Sequence, residues 1–229
     1  MRYPGLLIML FLCLPGLTLA LEPDREELEK WLESDEDVPP SVSTDRVNEG
    51  ELVFLQKPPA REVHHHQTRL IIDHTSLQNG WVRLKQCHDH LDRVPRAQIL
   101  YNRERVRDLA ITVSRNIGQS WVENNSVQLS DIGENARLCV IARTRVLQAN
   151  GDGSYSMHNG PFMRRFLDGY YPMRVSMDID YSDSGLRLVA MTPHEQQGFR
   201  VSKRKGHLLF DAWFEGKLRT EFRFRPDAL

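Results

Sequence analysis

Short apolar-alternating segments with hardly any helix between them predict a mainly β protein, an antiparallel sandwich or open barrel with a C-terminal meander and one or two short helices. Three observations carry that prediction. Met173, Val175, Met177, Ile179 and Tyr181 alternate strictly with Arg174, Ser176, Asp178 and Asp180, which is the pattern of a strand with one buried and one wet face. Four further short patterned segments follow, around Leu186 and Leu188, Phe199 and Val201, Leu208 to Phe214, and Leu218 to Phe224. Ala149-Asn150-Gly151-Asp152-Gly153 then marks a hairpin turn that returns through Tyr155 and Met157.

The chain opens differently. Arg2 supplies a positive n-region, Leu6 to Leu14 an apolar h-region and Thr18-Leu19-Ala20 a small-x-small cleavage site, so residues 1–20 read as a secretory signal peptide. A retained anchor is the weaker reading, because Pro15 and Gly16 break the apolar run short of the ~20 residues a bilayer span needs. Lipidation at Cys13 is weaker still, since bulky Leu12 occupies the place where a small residue is wanted. No second stretch approaches membrane length, so the mature form is expected not to span a membrane. The expected localisation is exported, periplasmic if the source is Gram-negative and secreted otherwise.

Removing residues 1–20 from the 229 leaves 209, enough for one large β domain or two small ones. Residues 21–50 hold eleven acids against three bases, a net of −8, whereas the chain from Glu51 onward holds twenty acids and twenty-six bases, a net of +6. Pro23 and the acids after it suit the start of a helix over 23–34, with Leu28, Trp31 and Leu32 as a narrow apolar stripe. Residues 38–43, with Pro39 and Pro40, read as an extended linker. The whole leader is expected to be a solvated spacer. Residues 51–229 are expected to form a single β-rich domain, or two packed halves over 51–149 and 150–229.

Within that body, strands are predicted over 52–55, 68–73, 81–87, 97–101, 109–114, 126–129 and 136–147. Glu215-Gly216 is expected to be a tight hairpin turn between the last two strands. Between the halves, Pro161 can open a short helix, Phe162, Phe166 and Leu167 would share one side of it, and Gly169 would stop it. Arg164, Arg165, Tyr170 and Tyr171 around this plug form a candidate groove for an anionic or glycan-like ligand, beside the plainer reading of aromatics sealing a barrel end.

Two cysteines remain after cleavage, Cys87 and Cys139, and an even pair in an oxidising compartment predicts a disulfide. The histidines are the other candidates. His64, His65 and His66 are consecutive, and His88 and His90 flank Asp89. In an extended chain the i,i+2 spacing puts His88 and His90 on one face, and His64 and His66 likewise, where two imidazoles can reach one Zn²⁺ or Cu²⁺. The alternative is a set of exposed loop histidines with no cofactor.

Several chemistries lack their motif. There is no G-x-S-x-G elbow, CxxC, HExxH, methionine-rich copper tract or Gly-rich phosphate loop, and an oxidised Cys87 and Cys139 would carry no nucleophilic thiolate. The arginines along Arg137, Arg143 and Arg145, and along Arg219, Arg223 and Arg225, lack the aromatic interleaving of a nucleic-acid platform, and read as wet strand faces. The expectation is a non-enzymatic exported β-rich binding or envelope accessory protein, its partner another envelope protein or an anionic or glycan ligand. A periplasmic Cu/Zn protein using His64, His66, His88 and His90 is the alternative, and a hydrolase with an unrecognised site the third.

Overall fold

The computed structural model describes residues 48–227. The predicted signal peptide and the leader before Asn48 lie outside them. In chain order the described residues form β1 (Val53–Phe54), β2 (His65–Ile71), α1 (Ser76–Asn79), β3 (Trp81–Asp89), β4 (Arg96–Leu100), β5 (Val106–Glu123), β6 (Ser126–Arg145), β7 (Leu147–Ala149) and β8 (Tyr155–Phe162). They continue through β9 (Arg164–Phe166), β10 (Gly169–Tyr171), β11 (Met173–Asp180), β12 (Leu186–Thr192), β13 (Phe199–Arg204), β14 (His207–Glu215) and β15 (Leu218–Pro226). Among the described residues no helix is long and apolar enough to cross a membrane.

A nine-stranded sheet runs β1-β14-β11-β2-β3-β6-β4, with β13 beside β14 and β5 beside β6, and a four-stranded sheet runs β12-β15-β8-β7. Every pairing is antiparallel except that of β11 with β2, whose long intervening chain permits a parallel neighbour. The two sheets face each other as an open sandwich. Phe199, Phe210 and Phe214 of the larger sheet and Met157, Leu218, Phe222 and Phe224 of the smaller are fully buried in one shared core, each worth about 1.5–3 kcal/mol of apolar transfer. That core draws on Leu70, Val82 and Leu84 as well as on the C-terminal strands, so residues on both sides of position 150 fill it. A smaller core, Val127, Leu129, Ile132, Ala136, Leu138 and Val140, lies under Leu91, Val94, Ala97 and Ile99.

The predicted C-terminal meander is corrected by the pairing. β11, β13 and β14 belong to the large sheet and β12 and β15 to the small one, because a sandwich needs apolar faces on both layers and alternation fits either. Only β13 and β14 form a sequential hairpin, Arg204 opposite His207. Glu215-Gly216 is a corner between sheets. Gly216 sits at φ 84°, where a Cβ would lie 1.9 Å from the Glu51 carbonyl oxygen, so only glycine turns this corner.

The predicted plug helix is corrected as well. Phe162 pairs with Leu218, and β9 and β10 form a hairpin with Arg165 opposite Tyr170 and Arg164 opposite Tyr171. Burying Tyr170 against the body overrides the local helix signal, and Leu167 stands fully exposed at the hairpin tip. β5 is far longer than 109–114 because register shifts near Ala110, Val113 and Ile117 interrupt its alternation and turn Val113 outward. The predicted strands 126–129 and 136–147 are joined into β6, which ends at Arg145, through residues 130–135, where Ile132 is buried and Asp131 and Asn135 take positive φ of 54° and 52°.

Candidate functional site

The inner face of the large sheet holds a polar island. On β2 and β3 the register sets His66 opposite His88, Thr68 opposite Gln86 and Leu70 opposite Leu84. Alternation sends all six inward. The first two pairs are flanked by Val175 and Met177 of β11 and by Leu138 and Val140 of β6. Thr68, Gln86 and His88 are buried, where an ordinary sandwich carries apolar side chains.

Each of these polar side chains makes at least one local hydrogen bond. Gln86 Nε2 donates to His88 Nε2 at 2.8 Å, which leaves the imidazole proton on Nδ1, donated to His64 Nε2 at 2.9 Å. His66 Nε2 bonds Thr68 Oγ1 at 2.8 Å. The His64 and His88 rings lie within 23° of parallel with centroids 5.2 Å apart, and His66 meets His88 edge-on at 4.8 Å and Phe162 at 4.9 Å. These rings form one wall of a cleft of about 470 Å³ whose other walls include Tyr101, Asn159 and Phe162. Tyr101 Oη and Asn159 Nδ2 are buried without a hydrogen-bond partner among the described residues, a rare condition for native polar atoms.

Burial keeps the imidazoles neutral. It lowers His64 to about 4, with Arg164 adding to the effect and Asp92 opposing it. Burial lowers His66 to about 3, aided by His64 and His65, and holds His88 well below the ordinary histidine value. Burial also pushes the Tyr101 hydroxyl up. At neutral pH the cleft offers imidazole nitrogens, hydroxyls and the amides of Gln86, Asn102 and Asn159, with Arg105 as a cation in its lining.

The four histidines singled out in the sequence divide. His64, His66 and His88 come together. β3 ends at Asp89 and His90 takes a positive φ of 52°, so the i,i+2 relation with His88 is lost and His90 instead meets Glu62 at 3.2 Å. Among the described residues no group of three or more His, Cys, Asp or Glu side chains is placed to hold a metal ion. Arg164, Arg165, Tyr170 and Tyr171 fall on two faces of the β9–β10 hairpin and are engaged with neighbours. Arg164 clamps Asp92 at 2.6 and 3.2 Å, Arg165 lies over Tyr170 at 5.5 Å, and Tyr171 donates to Asp168. Cys87 and Cys139 are direct cross-strand partners and are disulfide-bonded.

A serine–histidine pair escaped the sequence reading. His65, on the outer face, lies 2.7 Å from Ser176 Oγ, brought there by the parallel β2–β11 pairing. Ser176 donates to Asp211 Oδ1 at 2.5 Å, and Arg174 donates to both oxygens of Asp211 at 2.9 and 2.8 Å. Burial works against ionisation of Asp211, and the bonds from Arg174 and Ser176 overcome it, holding the carboxyl below its ordinary value. With the serine hydroxyl donating to Asp211, His65 is left to donate to Ser176. In this order of donors His65 does not accept the serine proton, and the contacts tie β2, β11 and β14 together.

No protein-family model and no curated protein matches the sequence. Among solved structures, the chain is similar to an M1 zinc metallopeptidase from Deinococcus radiodurans bound to a Tyr-Ser-Ala substrate, with a TM-score of 0.38 and 11% identity over 72% of this chain and 42% of that one. Another structure of that metallopeptidase gives 0.36 and 13% over 79% and 43%. The chain thus spans about two-fifths of that enzyme's length. A likeness at these TM-scores says nothing about the chemistry of this chain.

Proposed function

We propose that the protein is an exported, non-enzymatic β-rich binding or envelope accessory protein whose ligand occupies the histidine-lined cleft. The observation that supports this is the polar island itself. Four polar side chains sit where the fold's stability would favour apolar ones, and two more polar atoms beside them are left without partners. The neutral imidazoles, the Asn159 amide and the Phe162 ring favour an uncharged, hydroxyl-rich ligand of the glycan class over an anion. Export rests on residues 1–20 and agrees with the Cys87–Cys139 disulfide; in a Gram-negative source the compartment is the periplasm.

Thermal-shift titration of the mature protein with neutral mono- and disaccharides tests the proposal. A saturable rise in melting temperature that is lost in the Gln86→Leu/His88→Leu variant is expected. Absence of any such rise, or its persistence in the variant, counts against the cleft.

A periplasmic Zn or Cu protein is the second reading, favoured by the 2.9 Å approach of His64 Nε2 to His88 Nδ1. It needs those nitrogens to part by a few tenths of an ångström and His66 to turn from Thr68, since metal–nitrogen bonds are about 2.0–2.1 Å. Metal analysis of protein purified without an affinity tag separates the readings: near-stoichiometric metal lost on His88→Ala puts this one first.

A further inference from the structure

On the outer face of the same strands, three arginines stand side by side. Arg83 of β3 lies directly opposite Arg143 of β6, and Arg143 directly opposite Arg107 of β5. In the next outward row Arg69 lies opposite Lys85 and Lys85 opposite Ile141. Adjacent strands are about 4.8 Å apart, and like charges directly opposite each other destabilise a sheet.

Neutralisation among the described residues is incomplete. Arg69 meets Asp178 at 3.6 Å and Asp180 at 3.8 Å. Arg107 stacks over Trp81 at 4.2 Å and reaches Asp108 at 3.9 Å. Arg83, Lys85 and Arg143 make no ion pair among the described residues, and they line a concave cleft of about 500 Å³ with Arg69, Ile71 and Ile141. Asp108 is the acid at its edge. Ile141 is 44% exposed, so the cleft joins an apolar floor to a basic wall.

We propose that this outer cleft is a second binding site, for a small anionic amphiphile whose phosphate or carboxylate head bridges Arg83, Arg143 and Lys85 while its apolar part lies on Ile71 and Ile141. Paired guanidinium groups match the oxygens of either head group. The volume suits a single small molecule, and the exposed isoleucine distinguishes the ligand from a bare inorganic anion. The site is independent of the histidine-lined cleft, which opens on the other face of the sheet.

Calorimetric titration of the mature protein with dodecyl phosphate and with dodecanoate tests the site and distinguishes the two head groups, with dodecyl maltoside and inorganic phosphate as partial ligands. At least one charged amphiphile is expected to bind about tenfold or more tighter than either partial ligand, and more weakly as salt rises. The Arg83→Gln/Arg143→Gln variant is expected to lose about tenfold in affinity with no loss of melting temperature, and Gln86→Leu/His88→Leu to bind unchanged. Binding no tighter than dodecyl maltoside, or indifferent to salt, or unchanged in the arginine variant, overturns the proposal. The salt series on the native protein decides the matter even if that variant does not fold.

Discussion

The two faces of β2, β3 and β6 place polar groups under opposite constraints. Inward, Thr68, Gln86 and His88 are buried, uncharged and bonded to one another or to His64 and His66. Outward, Arg69, Arg83, Lys85 and Arg143 are solvent-exposed and charged, and three of them lack an ion-pair partner among the described residues. Burial forces neutrality and mutual satisfaction on one face, while water tolerates crowded like charge on the other. The inner departure from a purely structural sandwich falls on β2 and β3 and the outer on β2, β3 and β6, and their consequences for stability should differ in sign and in pH.

The largest expected effect is a loss of stability in acid, to which the inner side contributes three histidines and the outer face His65, also lowered to about 4 by burial. The inner histidines have folded values below the 6.5 of an unfolded histidine, about 4 for His64 and about 3 for His66. Between those limits the unfolded chain takes up protons that the folded one refuses. Stability is therefore full above pH 6.5 and is lost as the pH falls toward 4, with a slope approaching about 4 kcal/mol per unit if His64, His66 and His88 all refuse a proton. Denaturant melts at pH 7 and pH 5 measure it. A flat profile would mean that the inner cluster opens to water.

The disulfide comes next. It joins directly opposed positions of β3 and β6 and closes a loop with a sequence separation of 52, worth about 4 kcal/mol in the chain-entropy account. Thiol titration of the unfolded protein should find no free sulfhydryl from this pair until reductant is added, and reduction should lower the melting temperature.

Within the inner face, neighbouring rows sharpen the contrast. Leu84→Gln, one row from the island, is expected to cost about 3 kcal/mol by burying an unsatisfied amide. Gln86→Leu with His88→Leu is expected to leave stability unchanged or to raise it by up to about 2 kcal/mol, because both partners of a buried polar contact are removed together. If the double variant is as damaged as Leu84→Gln, the island is structural. The smallest effect lies outside: Arg83→Gln should gain about 0.5 kcal/mol at low salt and nothing at high salt, and a loss would reveal an ion pair that Arg83 makes in solution.

Much of the fold was legible. Strict alternation in residues 173–181 marked β11 and its buried face, and Asn150-Gly151-Asp152-Gly153 marked the turn between β7 and β8, where Ala149 faces Tyr155. Pattern failed where geometry breaks the period: the bulges of β5, the left-handed Asp131 and Asn135 in β6, and His90, turned away from His88 by its left-handed backbone. The helix read from Pro161 and Phe162 failed because pairing with β15 and burial of Tyr170 outweigh a weak local preference. The candidate site was half legible. His64, His66 and His88 were singled out, but Thr68, Gln86, Tyr101 and Asn159 carry no sequence signal, and neither does the His65–Ser176 contact made by a parallel pairing.

What the sequence determined by itself is local: which residues alternate, where turns fall, which cysteines are available to pair and which side chains face the same way along one strand. Period-two geometry fixes those without reference to the rest of the chain. Which strands become neighbours, and in what register, was decided only by the tertiary structure, because an apolar strand face gains nearly the same free energy against either sheet. That choice set His66 opposite His88 and Arg83 opposite Arg143, and so made two clefts from residues that, strand by strand, read as two histidine pairs and several wet faces.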